Sequence, residues 1–135
     1  ELASADLSCI VANGSRSLLI DEQTSCPAGA KLEILATVPG KHWSRIAFFA
    51  CDLAHCRLAH SSALGPSSKA TISFENDGPP GERRGILVLS RKQVLPAATD
   101  AFRAADVAGL RHLDRLDLAF ESQQIPFSFV VSDGK

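Results

Sequence analysis

Hydrophobic and polar positions alternate most cleanly over residues 31–38. Leu32, Ile34, Ala36 and Val38 share one face, and Lys31, Glu33, Leu35 and Thr37 share the other. That period of two is the signature of a half-buried strand, with Leu35 the one apolar side chain on the polar side. Pro39-Gly40-Lys41 supplies a turn. A second strand is expected to begin at Trp43, with Ile46, Phe48 and Phe49 as its bulk. Adjacent side chains of a strand point to opposite faces, so one of the two phenylalanines must meet a second layer or a partner. Upstream, residues 7–12 and 16–20 are apolar runs around Asn13-Gly14, a pair that accepts the positive φ of a hairpin turn. Residues 57–60 continue the pattern as a short strand.

Downstream, residues 70–75 predict a strand with Ile72 and Phe74 on one face, and residues 85–90 a compact apolar strand. Between them, residues 76–84 (NDGPPGERR) are polar and punctuated by Gly and Pro, which predicts an exposed loop at a hairpin tip. A helix is expected over residues 96–108. Pro96 suits the first helical position, Ala98, Ala101, Phe102 and Ala105 form a slender apolar stripe, and Gly109 is a natural stop. Leu116, Leu118 and Phe120 alternate, as do Ile125, Phe127, Phe129 and Val131, which predicts a closing hairpin. Pro126 donates no ladder hydrogen bond and so fits an edge strand or the first residues of one. Residues 61–69 (SSALGPSSK) have linker composition and mark the boundary between residues 1–64 and 65–135. The expected fold class is therefore α+β: a mainly antiparallel sheet or partial small barrel with one alanine-rich helix, its halves free to share one core.

Composition narrows the class. The chain has 135 residues, is 45% hydrophobic and 21% charged, and carries a formal net charge of -1. With 14 Lys and Arg against 15 Asp and Glu, no field of one sign steers it to nucleic acid or to an anionic membrane. No apolar run approaches the roughly 18–20 residues needed to span a bilayer. Four cysteines are an even and fairly dense set for this length. Together with the start at Glu1 they favour an exported, disulfide-stapled protein, periplasmic or secreted. Chain proximity favours Cys9–Cys26 and Cys51–Cys56 as the pairs, although four cysteines allow three pairings.

Residues 16–64 resemble, in part, a bacterial SH3-like domain. Gly29, the strand at 31–38, Trp43 with the strand to Phe48, and a return strand over 58–64 fall in that family's order. Cys56, Arg57 and Leu58 stand where the family carries a glycine and an aromatic. The resemblance implies a non-catalytic module that binds cell-wall material or another protein.

Candidate chemistry clusters between residues 51 and 60. Cys51, His55, Cys56 and His60 are the right donor mixture for a structural zinc site, although the spacing is atypical. The same residues could supply a Cys–His pair for a small hydrolase, which needs a thiolate within reach of an oriented imidazole. A disulfide between Cys51 and Cys56 would remove both options. No Gly-x-Ser-x-Gly elbow, phosphate-cradling glycine motif or complete calcium loop is present. The sequence therefore points first to a non-catalytic exported binding or assembly module of a bacterial cell envelope. Its expected partner is a protein or a cell-wall component rather than nucleic acid, peripheral to a membrane-anchored assembly, and no cofactor is expected. The candidate binding surface comprises Trp43, Phe48, Phe49, Asp77, Arg83 and Arg84.

Overall fold

The computed structural model describes residues 2–10, 17–19, 25–27, 29–51, 56–75, 80–92, 118 and 120–132. Their chain alternation resolves into nine strands that form two sheets. In the four-stranded sheet, β1 (Ser4–Ile10), β2 (Ser17–Leu19), β4 (Lys31–Thr37) and β7 (Lys69–Glu75) lie in the order β2-β1-β4-β7. The five-stranded sheet is built from β3 (Ser25–Pro27), β5 (Arg45–Cys51), β6 (Cys56–Ala63), β8 (Gly81–Ser90) and β9 (Ser122–Ser132). Its order is β3-β9-β8-β5-β6. Every pairing is antiparallel except β3 on β9.

The sheets pack face to face around one main core. Leu7 and Cys9 of β1, Leu32, Ile34 and Ala36 of β4, and Ile72 of β7 meet Ile46 and Phe48 of β5, Leu87 and Leu89 of β8, and Phe129 and Val131 of β9. The alternation at residues 31–38 thus folds as its pattern requires, with the even positions inward and Leu35 43% exposed. Phe74 lies across the interface from Phe48, with ring centroids 4.8 Å apart. Residues on both sides of position 64 contribute strands to each sheet and side chains to this core.

The five-stranded sheet is also apolar on its other face. Ala47 and Phe49 of β5 join Ile86 and Val88 of β8 in a second cluster, against which Leu58, Leu118 and Phe120 pack. A run such as Ile86-Leu87-Val88-Leu89 is what a strand buried on both faces reads like. This two-faced burial is why the chain folds into layers rather than into a single sheet or partial barrel. The described residues are all β and include no helix, which corrects the α+β expectation. The alanine-rich helix expected over residues 96–108 lies outside the described residues.

The strand connections differ from a run of hairpins. The strands on either side of Pro39-Gly40 do not pair with each other: β4 lies between β1 and β7, and β5 between β6 and β8. Gly40, at φ 72°, occupies the left-handed position that glycine tolerates best, and the chain crosses there from one sheet to the other. Strands β7 and β8 likewise lie in different sheets, and residues 81–84 belong to β8 rather than to a loop, because β8 pairs with β9 from Gly81 to Ser90. The second arm of the expected closing hairpin is present as one long strand, β9, which takes in Ser122, Gln123 and Gln124 of the expected connection; Leu118 and Phe120 lie outside it, and residues 116, 117 and 119 of the first arm lie outside the described residues. Pro126 sits opposite Ile86, whereas β3 flanks β9 only from Val130 to Ser132. The proline therefore occupies a stretch of β9 that β3 does not reach, which matches its missing donor. The pairing of β1 with β2 fits the hairpin expected around Asn13-Gly14, a turn that itself lies outside the described residues.

Cys9 is disulfide-bonded to Cys26. Because β1 and β3 belong to different sheets, this bond ties the layers together. Cys51 is also disulfide-bonded, and the β5–β6 ladder sets Cys56 opposite it. Closing a loop with a sequence separation of 17 is worth about 3 kcal/mol in the chain-entropy account. Replacing Cys9 and Cys26 together by alanine is expected to lower stability by about that much, read from the midpoint of urea unfolding.

One glycine is dictated by packing. A Cβ on Gly85 would lie 2.3 Å from the Phe48 ring, so the ring occupies the space a side chain would take. Gly85→Ala is expected to cost about 1–3 kcal/mol through overpacking. A parallel Gly65→Ala variant, whose Cβ would meet nothing within 4 Å, should melt close to the parent in the same calorimetric scan.

Candidate functional site

The site forms where the chain crosses between sheets ahead of β5. Ser44 N–H donates to the Ser90 carbonyl at 3.0 Å, and the Ser44 carbonyl accepts from Leu64 N–H at 2.9 Å. These bonds extend the ladder one residue beyond β5 on both flanks and fix the backbone beside Trp43. The indole packs partly against the main core. It also lines two open clefts.

The first cleft has a volume of about 590 Å³ and is lined by Leu2, Gly40, His42, Trp43, Glu121 and Gln123, among others. The second, about 400 Å³, is lined by Lys41, Trp43, Ser44, Leu64, Ser67 and Ser68, among others. Hydrogen bonds brace the second cleft: Val38 N–H donates to the Ser68 carbonyl at 2.7 Å, and Lys69 N–H to Ser67 Oγ at 3.2 Å.

Around the first cleft, Glu121 joins two basic side chains. Arg91 Nη2 donates to Glu121 Oε2 at 2.7 Å, and His42 Nε2 stands 3.2 Å from Glu121 Oε1. The His42 ring also meets Trp43 edge-on, with centroids 4.3 Å apart. All three side chains are about half exposed, so the Arg91–Glu121 attraction is screened and the group mainly sets geometry. Gln123 lines the same cleft. Its amide accepts from Ala3 N–H at 3.0 Å and donates to the Ala3 carbonyl at 2.9 Å. That clasp holds Leu2, 82% exposed, at the cleft margin.

Of the side chains singled out from sequence, Trp43 alone lines these clefts. Phe48 and Phe49 are both 0% exposed, one in each apolar cluster, so neither presents a binding surface. Arg83 and Arg84 are partly buried in β8, and Arg83 Nη1 donates to the Glu82 carbonyl at 3.1 Å. They lie towards the far end of β8 from Ser90, roughly 20 Å of strand away at ~3.4 Å per residue. Asp77 lies outside the described residues. The structure therefore does not gather the expected surface into one site. His42, Arg91, Glu121 and Gln123 complete the site instead, and their separation along the chain gave no local signal.

The cysteine chemistry is settled by oxidation. No cysteine is free among the described residues, and a disulfide-bonded Cys51 is neither a thiolate nucleophile nor a zinc ligand. His60 Nε2 lies 2.8 Å from Ser62 Oγ in β6. His55 lies outside the described residues, among which no group of three or more His, Cys, Asp or Glu is placed to hold a metal ion.

No family model matches the chain, and no curated protein matches it. Among solved structures it is similar to the "Extended catalytic domain of H. jecorina LPMO9A a.k.a EG4". That similarity has a TM-score of 0.42 and 15% identity, and it covers 84% of this chain and 50% of that one. The chain thus spans half the length of that domain.

Gln123→Ala removes both bonds to Ala3, each worth about 1 kcal/mol net. It is expected to lower stability by roughly 1–2 kcal/mol and to speed amide exchange at Ala3. Arg91→Ala, which breaks only an exposed ion pair, should change stability by less than about 1 kcal/mol.

Proposed function

We propose that the chain is an exported, non-catalytic binding module that holds a cell-envelope partner, a wall component or a protein, at the Trp43 end of its sandwich. The observation that carries this reading is that Trp43 lines two open clefts, with its neighbouring backbone hydrogen-bonded on both flanks. A large aromatic held in place ahead of binding loses little freedom when a partner arrives, which is how such residues come to dominate recognition energy. Disulfides persist in oxidising compartments, so the Cys9–Cys26 bond supports export. The surrounding charges are mixed, in keeping with the formal net charge of -1. That balance suits a polar partner better than nucleic acid, whose recognition begins with a field of positive charge.

The test is capture of envelope material, both wall sacculi and solubilised envelope proteins, on immobilised protein. The parent chain is expected to retain material that Trp43→Ala loses at least about tenfold, equivalent to roughly 1.4 kcal/mol, while Lys92→Ala on the exposed segment after β8 retains it fully. Equal retention by the parent and Trp43→Ala, with both folded by circular dichroism, would remove the cleft as the binding face.

A further inference from the structure

Each sheet ends in two edge strands, and three of the four edges are guarded. Strand β2 is only three residues long. Strand β3 is also three residues long and ends in Pro27, which has no N–H to offer. Strand β6 is bulged: its register shifts where Phe48 faces His60 and Phe49 faces Leu58, leaving Ala59 unpaired. Short strands, prolines and bulges are the devices that keep a sheet edge from recruiting another strand. Strand β7 has none of them. It runs seven residues, Lys69–Glu75, keeps an unbroken register with β4 and contains neither proline nor glycine.

The hydrogen bonding shows which groups this edge presents. Val38 N–H donates to the Ser68 carbonyl, and these residues lie one step beyond the Thr37–Lys69 pair. Bonds between antiparallel strands fall at every second pair, so β7 bonds to β4 through residues 70, 72 and 74. The backbone groups of Lys69, Thr71, Ser73 and Glu75 therefore point away from β4, and among the described residues no strand lies on that side. In keeping with this, Lys69 N–H donates to Ser67 Oγ rather than to β4. The side chains of the same four residues are exposed. On the core face, Ala70 and Phe74 are half-buried, whereas Ala36 and Leu32 opposite them on β4 are 0% exposed. Strand β4 has a neighbour on both sides and β7 on one.

We infer that β7 pairs antiparallel with β7 of a second copy of this chain, about a two-fold axis at Ile72, joining the two four-stranded sheets into one. In that register Lys69 meets Glu75 of the other copy at both ends, Thr71 meets Ser73, and Phe74 meets Ala70. The outward-facing groups of residues 71 and 73 then lie opposite each other, as the hydrogen-bonding alternation requires. Neither Lys69 nor Glu75 is in an ion pair among the described residues, so both are available across the axis. A slip of two residues in either direction separates them, so the charges select this register. An unrelated extended peptide would satisfy the same backbone groups, whereas a second copy satisfies the two charges as well. The contact uses the same strand on both copies and closes on itself, which yields a dimer rather than a fibre. It goes beyond the binding-module reading and does not depend on it.

The experiment measures mass by sedimentation equilibrium on the whole chain, from low micromolar to near-millimolar concentration. A reversible monomer–dimer equilibrium is expected. Amide exchange at Thr71 and Ser73 should slow as the dimer fills, while that at Ile72, bonded to β4, hardly changes. Ser73→Pro removes an outward-facing N–H and leaves the bonds to β4 intact, so it should stay monomeric throughout. Lys69→Glu and Glu75→Lys each set like charges together at both ends and should weaken the dimer about tenfold. Glu75→Lys also stands opposite Lys31 within the chain, so parental circular dichroism is confirmed first. Mixed in equal amounts, the two charge variants should form a heterodimer of near-parental strength, because each supplies the charge the other needs. That recovery can be read whether or not Ser73→Pro folds.

A parent chain that stays monomeric at the highest concentration would overturn the inference. So would a dimer that folded Ser73→Pro leaves intact, or one that the mixed charge variants fail to restore, since either would use another face. Protection of the Thr71 and Ser73 amides only when envelope extract is added would assign the edge to a foreign strand, and the second copy would fall as its occupant.

Discussion

The architecture depends on one constraint: the middle of the five-stranded sheet is apolar on both faces. Phe48 and Phe49 are neighbours in β5, point in opposite directions and are both fully buried. A single sheet can hide only one of them. The four-stranded sheet covers the Phe48 side, while Leu118 and Phe120 pack on the Phe49 side. Gly85 belongs to the same arrangement, since the Phe48 ring occupies the space above its backbone while also meeting Phe74 of the other sheet. Close packing of this kind makes the interior intolerant of even one added methyl group.

Much of this was legible in the sequence, and the parts that were not share a physical reason. The alternation of Leu32, Ile34, Ala36 and Val38 reports one covered face, and that is what β4 has. The pairing of Cys9 with Cys26 follows chain proximity. Strand partners are a different matter, because a period-two pattern says which way side chains point and nothing about which strand lies alongside. Pro39-Gly40 signals a change of direction equally well whether the next strand joins the same sheet or the opposite one. Here it joins the opposite one. Residues 81–84 illustrate tertiary context overriding local preference. Their composition resembles a loop, yet pairing with β9 from Val131 to Ser128 keeps them extended.

The site was legible only in its centre. Trp43 stands out as the single tryptophan, whereas Glu121 and Arg91 are separated by 30 residues and His42 by 79 from the carboxylate it meets. No spacing rule connects residues that the fold alone brings together. The phenylalanines misled for a related reason: large side chains are enriched both in cores and in binding faces, and only the second layer decides between the two.

The clasp between Gln123 and Ala3 has a practical consequence. It fixes the backbone at the start of β1 beside the mouth of the larger cleft, with Leu2 forming part of that rim. Any tag or reporter fused ahead of residue 2 would emerge at the doorway and crowd whatever approaches the indole. Immobilisation through surface lysines of the four-stranded sheet, such as Lys31, would instead leave that doorway open.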